Sequence, residues 1–189
     1  MSKEEKKRND FPTLPALVGK HTYIRSATAE DIAQTHHWFL HSNPEMLTDE
    51  QIDLETASAA AEAFKKEEKG ARAQRFVIVR QKDNMPVGRV RFFDLNTMNR
   101  STRVDMLVDP EERRKGYALE ATRLLCNYLY RHRGLNKIYA QVCSLNGGAV
   151  KLLEEAGFKR DGVLRHQYYV KGELHDGFLY SMLLYEFDA

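Results

Sequence analysis

The segment Val104–Ala121, VDMLVDPEERRKGYALEA, constrains the fold of this chain more than any other stretch. An apolar run meets Asp109-Pro110, then a basic turn from Arg113 to Ala118, then a helical pattern. A strand must therefore feed a tight loop that opens a helix. The first amides of a helix have no partner inside it, and the helix dipole adds partial positive charge there. Gly116 lets the backbone approach a ligand closely, and Ala118 keeps the next contact small. Arg113, Arg114 and Lys115 add formal charge. Such a turn suits a pyrophosphate. The competing reading is a solvated basic loop, since the chain has neither a Gly-Lys-Ser/Thr phosphate loop nor the glycine-rich dinucleotide fingerprint.

A second block, Ile138–Phe158, repeats the strand–turn–helix plan. Ile138, Ala140 and Val142 alternate with Tyr139, Gln141 and Cys143, as in a partly buried strand. Asn146-Gly147-Gly148 breaks the run, and a short helix then carries Ala149, Val150, Leu153 and Ala156. Gly157 closes that helix and leaves Phe158 to fill the core.

Together the two blocks resemble the GNAT N-acetyltransferase superfamily. In that family Arg/Gln-x-x-Gly-x-Gly/Ala binds the pyrophosphate of coenzyme A, and here it reads Arg113-x-x-Gly116-x-Ala118. The family's Asn-x-x-Ser/Ala, followed by a helix and Gly-Phe, reads Asn146-x-x-Ala149 and Gly157-Phe158. Asp161–Leu184 and Leu17–Asp31 are similar to the branch containing ribosomal-protein N-terminal and spermidine acetyltransferases. The resemblance runs in order over about residues 17–187.

It implies an α/β fold with a mixed, mostly antiparallel central sheet flanked by helices. The central strands splay into a V that takes the pantetheine arm of acetyl-CoA. Backbone groups of Met106, Leu107 and Val108 would pair with that arm as another strand would. Arg113, Arg114, Lys115, Gly116, Tyr117 and Ala118 would hold the pyrophosphate, with Asn146, Ala149 and Leu153 on the other wall. Several family residues are missing. Leu153 stands where many members have a tyrosine that protonates the leaving thiolate, and Ala149 replaces a common serine. Thr102 and Arg103 lie where a glutamate is frequent on the central strand.

Asp105, opposite in phase to Val104 and Met106, is the candidate base, with an ion pair to Arg89 or Arg91 as the structural alternative. Tyr168, Tyr169 and Tyr180 are candidate acids, Tyr168 first, each also readable as a buried packing residue. Trp38, Phe39, Phe92 and His166 are candidates for the acceptor site, Trp38 also fitting a core face. His175-Asp176 reads as a structural turn. Glu45, Asp49, Glu50, Asp53 and Glu55 fit either a polyamine-attracting rim or ordinary helix-start electrostatics, the latter preferred.

Composition agrees with one domain. The 189 residues suit a single core, with 1–10 a charged, fraying tail and 11–189 the domain. Net charge is +2, from 29 basic and 27 acidic residues, against a dedicated nucleic-acid binder. Cys126 and Cys143 sit in apolar patterns, so buried free thiols are expected, with no disulfide and no metal site. The sequence shows neither a signal peptide nor a membrane-length apolar run, which makes the cytoplasm the expected location.

The expected order of elements starts with a strand near His21–Arg25 and a helix capped by Thr28-x-x-Asp31. A second helix follows over about Thr48–Lys69, then strands at Phe76–Val79, Val87–Leu95 and Thr102–Val108. The long helix spans about Tyr117–Arg133, and two strands, Leu164–Val170 and Gly177–Phe187, close the chain. The function expected is acetyl transfer from acetyl-CoA to an amine acceptor, with a homodimer plausible. Two other classes stay open: a non-catalytic acyl-CoA sensor, and an RNA- or ribosome-binding module using Arg113–Lys115 and Arg131–Arg133.

Overall fold

The computed structural model describes residues 16–38, 55–67 and 72–187. The charged opening 1–10, Phe39, and the acids Glu45, Asp49, Glu50 and Asp53 lie outside the described residues. The chain runs β1 (Ala16–Val18), β2 (Thr22–Ser26), α1 (Ala29–Gln34), α2 (Ala57–Glu67), β3 (Gln74–Arg80), β4 (Met85–Asn96) and β5 (Ser101–Val108). Then come α3 (Tyr117–Arg131), β6 (Lys137–Cys143), α4 (Gly147–Ala156), β7 (Lys159–Val170) and β8 (Glu173–Leu183). One eight-stranded sheet results, in the order β1-β2-β3-β4-β5-β6-β8-β7. Its one parallel pair among the described residues is β5–β6, which the crossover through α3 makes possible.

Local chemistry sets the element ends. Thr28 and Asp31 form the reciprocal capping box expected for α1. The described helix α2 begins at Ala57, where the Thr56 hydroxyl accepts the Ala59 amide at 3.2 Å; the start expected near Thr48 and the end at Lys69 lie outside the described residues. α4 ends at Gly157, whose φ of +101° suits the left-handed cap. Lys171 and Gly172 both have positive φ, as a tight hairpin turn between β7 and β8 requires.

The terminal hairpin departs from expectation at both ends. β7 starts at Lys159, and irregularities at Arg160/Gly162 and Leu164/Tyr168 interrupt its pairing. Those bulges break the alternation that a strand leaves in sequence. β8 stops at Leu183, where Leu184–Glu186 forms a 3-10 turn, so Phe187 leaves the sheet and packs on Tyr130 at 5.2 Å between ring centres.

The sheet buries different residues on its two faces. Ile24, Phe76, Ile78, Val90, Phe92, Val104, Ile138 and Tyr180 face α3 and α4, which contribute Ala121, Leu125, Leu129, Leu153 and Ala156. Tyr23, Val77 and Val79 face α1 and α2 through Ile32, Ala60 and Phe64. Cys126 and Cys143 are free and buried, as expected.

Candidate active site

The site begins where the parallel pair stops. β5 and β6 pair only over Ser101–Arg103 and Lys137–Tyr139, leaving Val104–Val108 and Ala140–Cys143 without each other. This is the expected V-shaped splay. The phase of the backbone follows from the other edge of β5. Asp109 N–H donates to Val87 O at 3.1 Å, and Leu107 and Asp105 lie opposite Arg89 and Arg91. Hydrogen-bonded antiparallel pairs alternate, so the backbone groups of Asp105 and Leu107 turn to β4. Those of Val104, Met106 and Val108 turn to the splay. Leu107, expected to offer its backbone to the splay, thus turns it to β4 instead, and Val104 is in the phase that faces the splay.

The basic turn sits beside the open end of the splay. Asp109 starts it, its side chain accepting the Glu111 amide at 3.1 Å ahead of the 3-10 turn Pro110–Glu112. Arg114 and Gly116 both adopt positive φ, +62° and +84°. Gly116 is the N-cap of α3 and has no side-chain cap, whereas Thr28 and Asn146 cap α1 and α4. The opening amides of α3 are therefore not satisfied by a capping side chain. Lys115 is engaged: Glu112 accepts from its Nζ at 2.9 Å and from Arg80 Nη1 at 2.8 Å. The hydrogen bond from Lys115, joined by that from Arg80, outweighs desolvation and holds the Glu112 carboxyl below its usual range. Tyr117 and Ala118, both half-buried, begin the helix.

On the other wall, Asn146 Oδ1 accepts the Ala149 amide at 3.1 Å and starts α4. Ala149 is half-buried at that helix start. Leu153, expected on this wall, is 3% exposed and packs inside the main core. Thr122 on α3 donates to Ala118 O at 2.8 Å and also contacts Met106 Sδ at 3.2 Å, joining helix to strand below the splay.

The face turned to α1 and α2 carries the polar groups. Arg91 donates to Asp105 Oδ2 through Nε at 2.7 Å and Nη2 at 2.5 Å, which is the structural alternative weighed for Asp105. The guanidinium groups of Arg91 and Arg103 lie 4.4 and 5.0 Å from the Phe93 ring centre. Phe92, a candidate for acceptor contact, is 1% exposed on the opposite face and packs against Phe76. Phe92 and Phe93 alternate across the sheet, so Phe93, not Phe92, shares a face with Arg91 and Asp105. Trp38 is buried, edge-on to His37 at 6.0 Å.

The candidate acids scatter. Tyr168 is 3% exposed, clustered with Cys143 and Val170 with its ring over Gly177, which makes it a packing residue. Tyr180 donates to Glu154 Oε1 at 2.8 Å on the far face, and Tyr169 is exposed. His166 is exposed in the β7 bulge with φ +52°, its amide held by Asp176 Oδ1 at 2.9 Å. Asp176 thus has a structural part, as expected, but His175-Asp176 lies within β8 and not in a turn.

The model of the acetyltransferase (GNAT) domain family matches residues 21–159, which include the splay, the basic turn and α4. The chain belongs to the GNAT acetyltransferase family. It is 31% identical over 103 residues to the spermidine N(1)-acetyltransferase of Vibrio cholerae, spanning 54% of this chain and 59% of that enzyme's own length. An uncharacterized N-acetyltransferase of Bacillus subtilis is 27% identical over 173 residues, 89% of this chain and 97% of that protein. The fold matches a crystal structure of Vibrio cholerae spermidine N-acetyltransferase in complex with CoA and spermine, with TM-score 0.82 and 24% identity over 89% of this chain and 99% of that one. Ribosomal-protein-S5-alanine acetyltransferase from Vibrio fischeri matches at TM-score 0.77 and 18% identity, over 93% and 100% of the two chains.

In this GNAT chain three residues not singled out from the sequence make contacts beside the splay and the basic turn: Phe93 with Arg91 and Arg103, Glu112 with Arg80 and Lys115, and Glu120 with Thr22. Phe93 was recoverable, because Arg89, Arg91 and Phe93 share one phase of β4 while Val90 and Phe92 share the other. Glu112 and Glu120 left no such signal. An acid near a helix start reads as ordinary dipole compensation until its distant partners are known.

Proposed function

We propose that this protein is an acetyl-CoA-dependent N-acetyltransferase in which an acceptor primary amine attacks the thioester directly. The observation that carries the reading is the parting of β5 from β6 beside the Arg113–Ala118 turn. The splay-facing backbone of Val104, Met106 and Val108 would hold the pantetheine arm, and the uncapped start of α3 the pyrophosphate. A splay-facing N–H would also stabilise the oxyanion of the tetrahedral intermediate. The coenzyme supplies an activated acetyl group. An acyl-enzyme step finds no support in the thiols, since burial raises the Cys126 thiol and both cysteines are 0–1% exposed.

The proposed acceptors are a peptide N-terminus, a polyamine, an amino sugar or another small amine. The polyamine arm is supported by the spermidine activity named for the Vibrio cholerae relative. A lysine-like amine near neutral pH bears a deprotonation cost of about 4–5 kcal/mol, an α-amine only about 1 kcal/mol. Asp105, on the stretch of β5 that has parted from β6, is the proposed proton acceptor for the first kind, and its pair with Arg91 supports positioning instead. Asp105→Asn separates the two. A kcat loss of roughly a hundredfold with a displaced pH–rate profile assigns acceptance; an unaltered profile removes Asp105 from proton transfer.

Calorimetric titration with acetyl-CoA, with coenzyme A and an unrelated nucleotide as controls, tests the whole reading. Selective micromolar binding followed by amine-dependent thiol release supports it. Folded protein that binds neither form of the coenzyme refutes it. The buried Leu153 favours one second reading, an acyl-CoA sensor, which would bind the coenzyme and release no thiol with any amine.

A further inference from the structure

One carboxylate of α3 is spent on a segment about a hundred residues earlier in the chain. Glu120 lies in the first turn of the helix, its own amide bonded to Gly116 O at 3.1 Å. Its side chain leaves the helix and accepts from three successive backbone amides of the β1–β2 turn. Those are Lys20, His21 at 3.0 Å, and Thr22 at 2.9 Å, with the Thr22 hydroxyl added at 2.8 Å. Gly19 makes room. A Cβ there would stand 2.6 Å from Glu120 Oε1 and 2.8 Å from Cδ, so no larger residue fits beneath the seated carboxylate. The turn is braced from behind by Gln81, whose Nε2 donates to Gly19 O at 2.7 Å and Thr22 O at 3.0 Å.

The other end of the basic turn has its own anchor, since Arg80 donates to Glu112 at 2.8 Å. The stretch from Glu112 to Glu120 is thus tied at both ends to the N-terminal strands. A helix start is ordinarily fixed by a capping side chain that consumes one of its amides. Gly116 provides none. From these contacts we infer that Glu120 is a positioning residue for the coenzyme, holding the start of α3 from outside so that no amide there is taken by a capping side chain.

This rests on the proposed acetyl-CoA site and adds a residue pair, Gly19 and Glu120, that the site reading does not contain. Glu120→Gln keeps the shape and loses the charge that gathers the amides. Gly19→Ala pushes the same carboxylate off its seat without touching α3. Each variant should weaken coenzyme A binding by calorimetry roughly tenfold, the scale of a lost helix cap. The KM for acetyl-CoA should rise likewise, with kcat at saturation within about twofold of wild type. Asp31→Asn is the control, breaking the Arg25–Asp31 pair on the α1 face, away from the turn. It should lower Tm and leave coenzyme affinity unchanged.

Wild-type affinity in folded Glu120→Gln or Gly19→Ala overturns the inference. So does an equal loss in Asp31→Asn, which would make the effect one of general stability. Failure of the wild type itself to bind would instead refute the coenzyme site on which the inference rests.

Discussion

Gly116 shows how much a single φ can decide. Its +84° lies in the region that β-branched residues avoid, and an added Cβ would meet nothing within 4 Å. Crowding by protein atoms is therefore not the issue, and a substitution acts through the backbone. Gly116→Val should strain the turn by about 1–2 kcal/mol and misalign the opening amides of α3. Calorimetry with acetyl-CoA should then show affinity reduced roughly tenfold or more; unchanged affinity in a folded variant would show that the turn does not bind the coenzyme. At this scale the sequence was readable wherever chemistry is local. Arg113-x-x-Gly116-x-Ala118 and the Thr28–Asp31 box are contiguous, and both formed. Glu120 was not readable, because its partners Lys20–Thr22 become neighbours only after the sheet is assembled.

Elements were legible where their hydrophobic period was unbroken. β6 and α4 fell within a residue or so of expectation, since Ile138, Ala140 and Val142 alternate and Gly157 ends the helix. β7 was misjudged because its bulges shift phase twice. The second bulge has a packing consequence that can be measured. Re-aiming Gln167 and Tyr168 brings the Tyr168 ring over β8, where a Cβ on Gly177 would lie 2.7 Å from Cε2 and 3.3 Å from Gln167 Cβ. Tyr168 is 3% exposed, so moving aside would give up its packing with Cys143 and Val170. Gly177→Ala should cost about 1–3 kcal/mol through overpacking. A urea midpoint equal to wild type would mean the hairpin yields freely.

Across the whole molecule, buried or paired carboxylates recur. For Asp31, burial opposes ionisation, and hydrogen bonds from Arg25 and Thr28 outweigh it, leaving the carboxyl below its ordinary value. For Glu120 the same opposition is overcome by Thr22 and the turn amides. Asp161 and Glu186 are lowered chiefly by Lys137 and Lys159. Each of these groups has a folded value below its unfolded one. The folded state therefore binds fewer protons, and the stability they add is present above the ordinary carboxylate range of about 4. It is lost as pH falls through the folded values. Urea midpoints should drop steeply between about pH 5 and pH 3. A flat profile across that window would show that these pairs add nothing to the fold.

The parting of β5 from β6 has a further consequence. A sheet interior normally has no edges, yet here two strands in the middle of the order separate and turn an edge toward each other. Such edges are templates for the strands of other chains. On the proposed reading, a pantetheine arm in the gap would stand in for a missing strand and remove that template, so coenzyme binding would also disfavour strand addition by other chains.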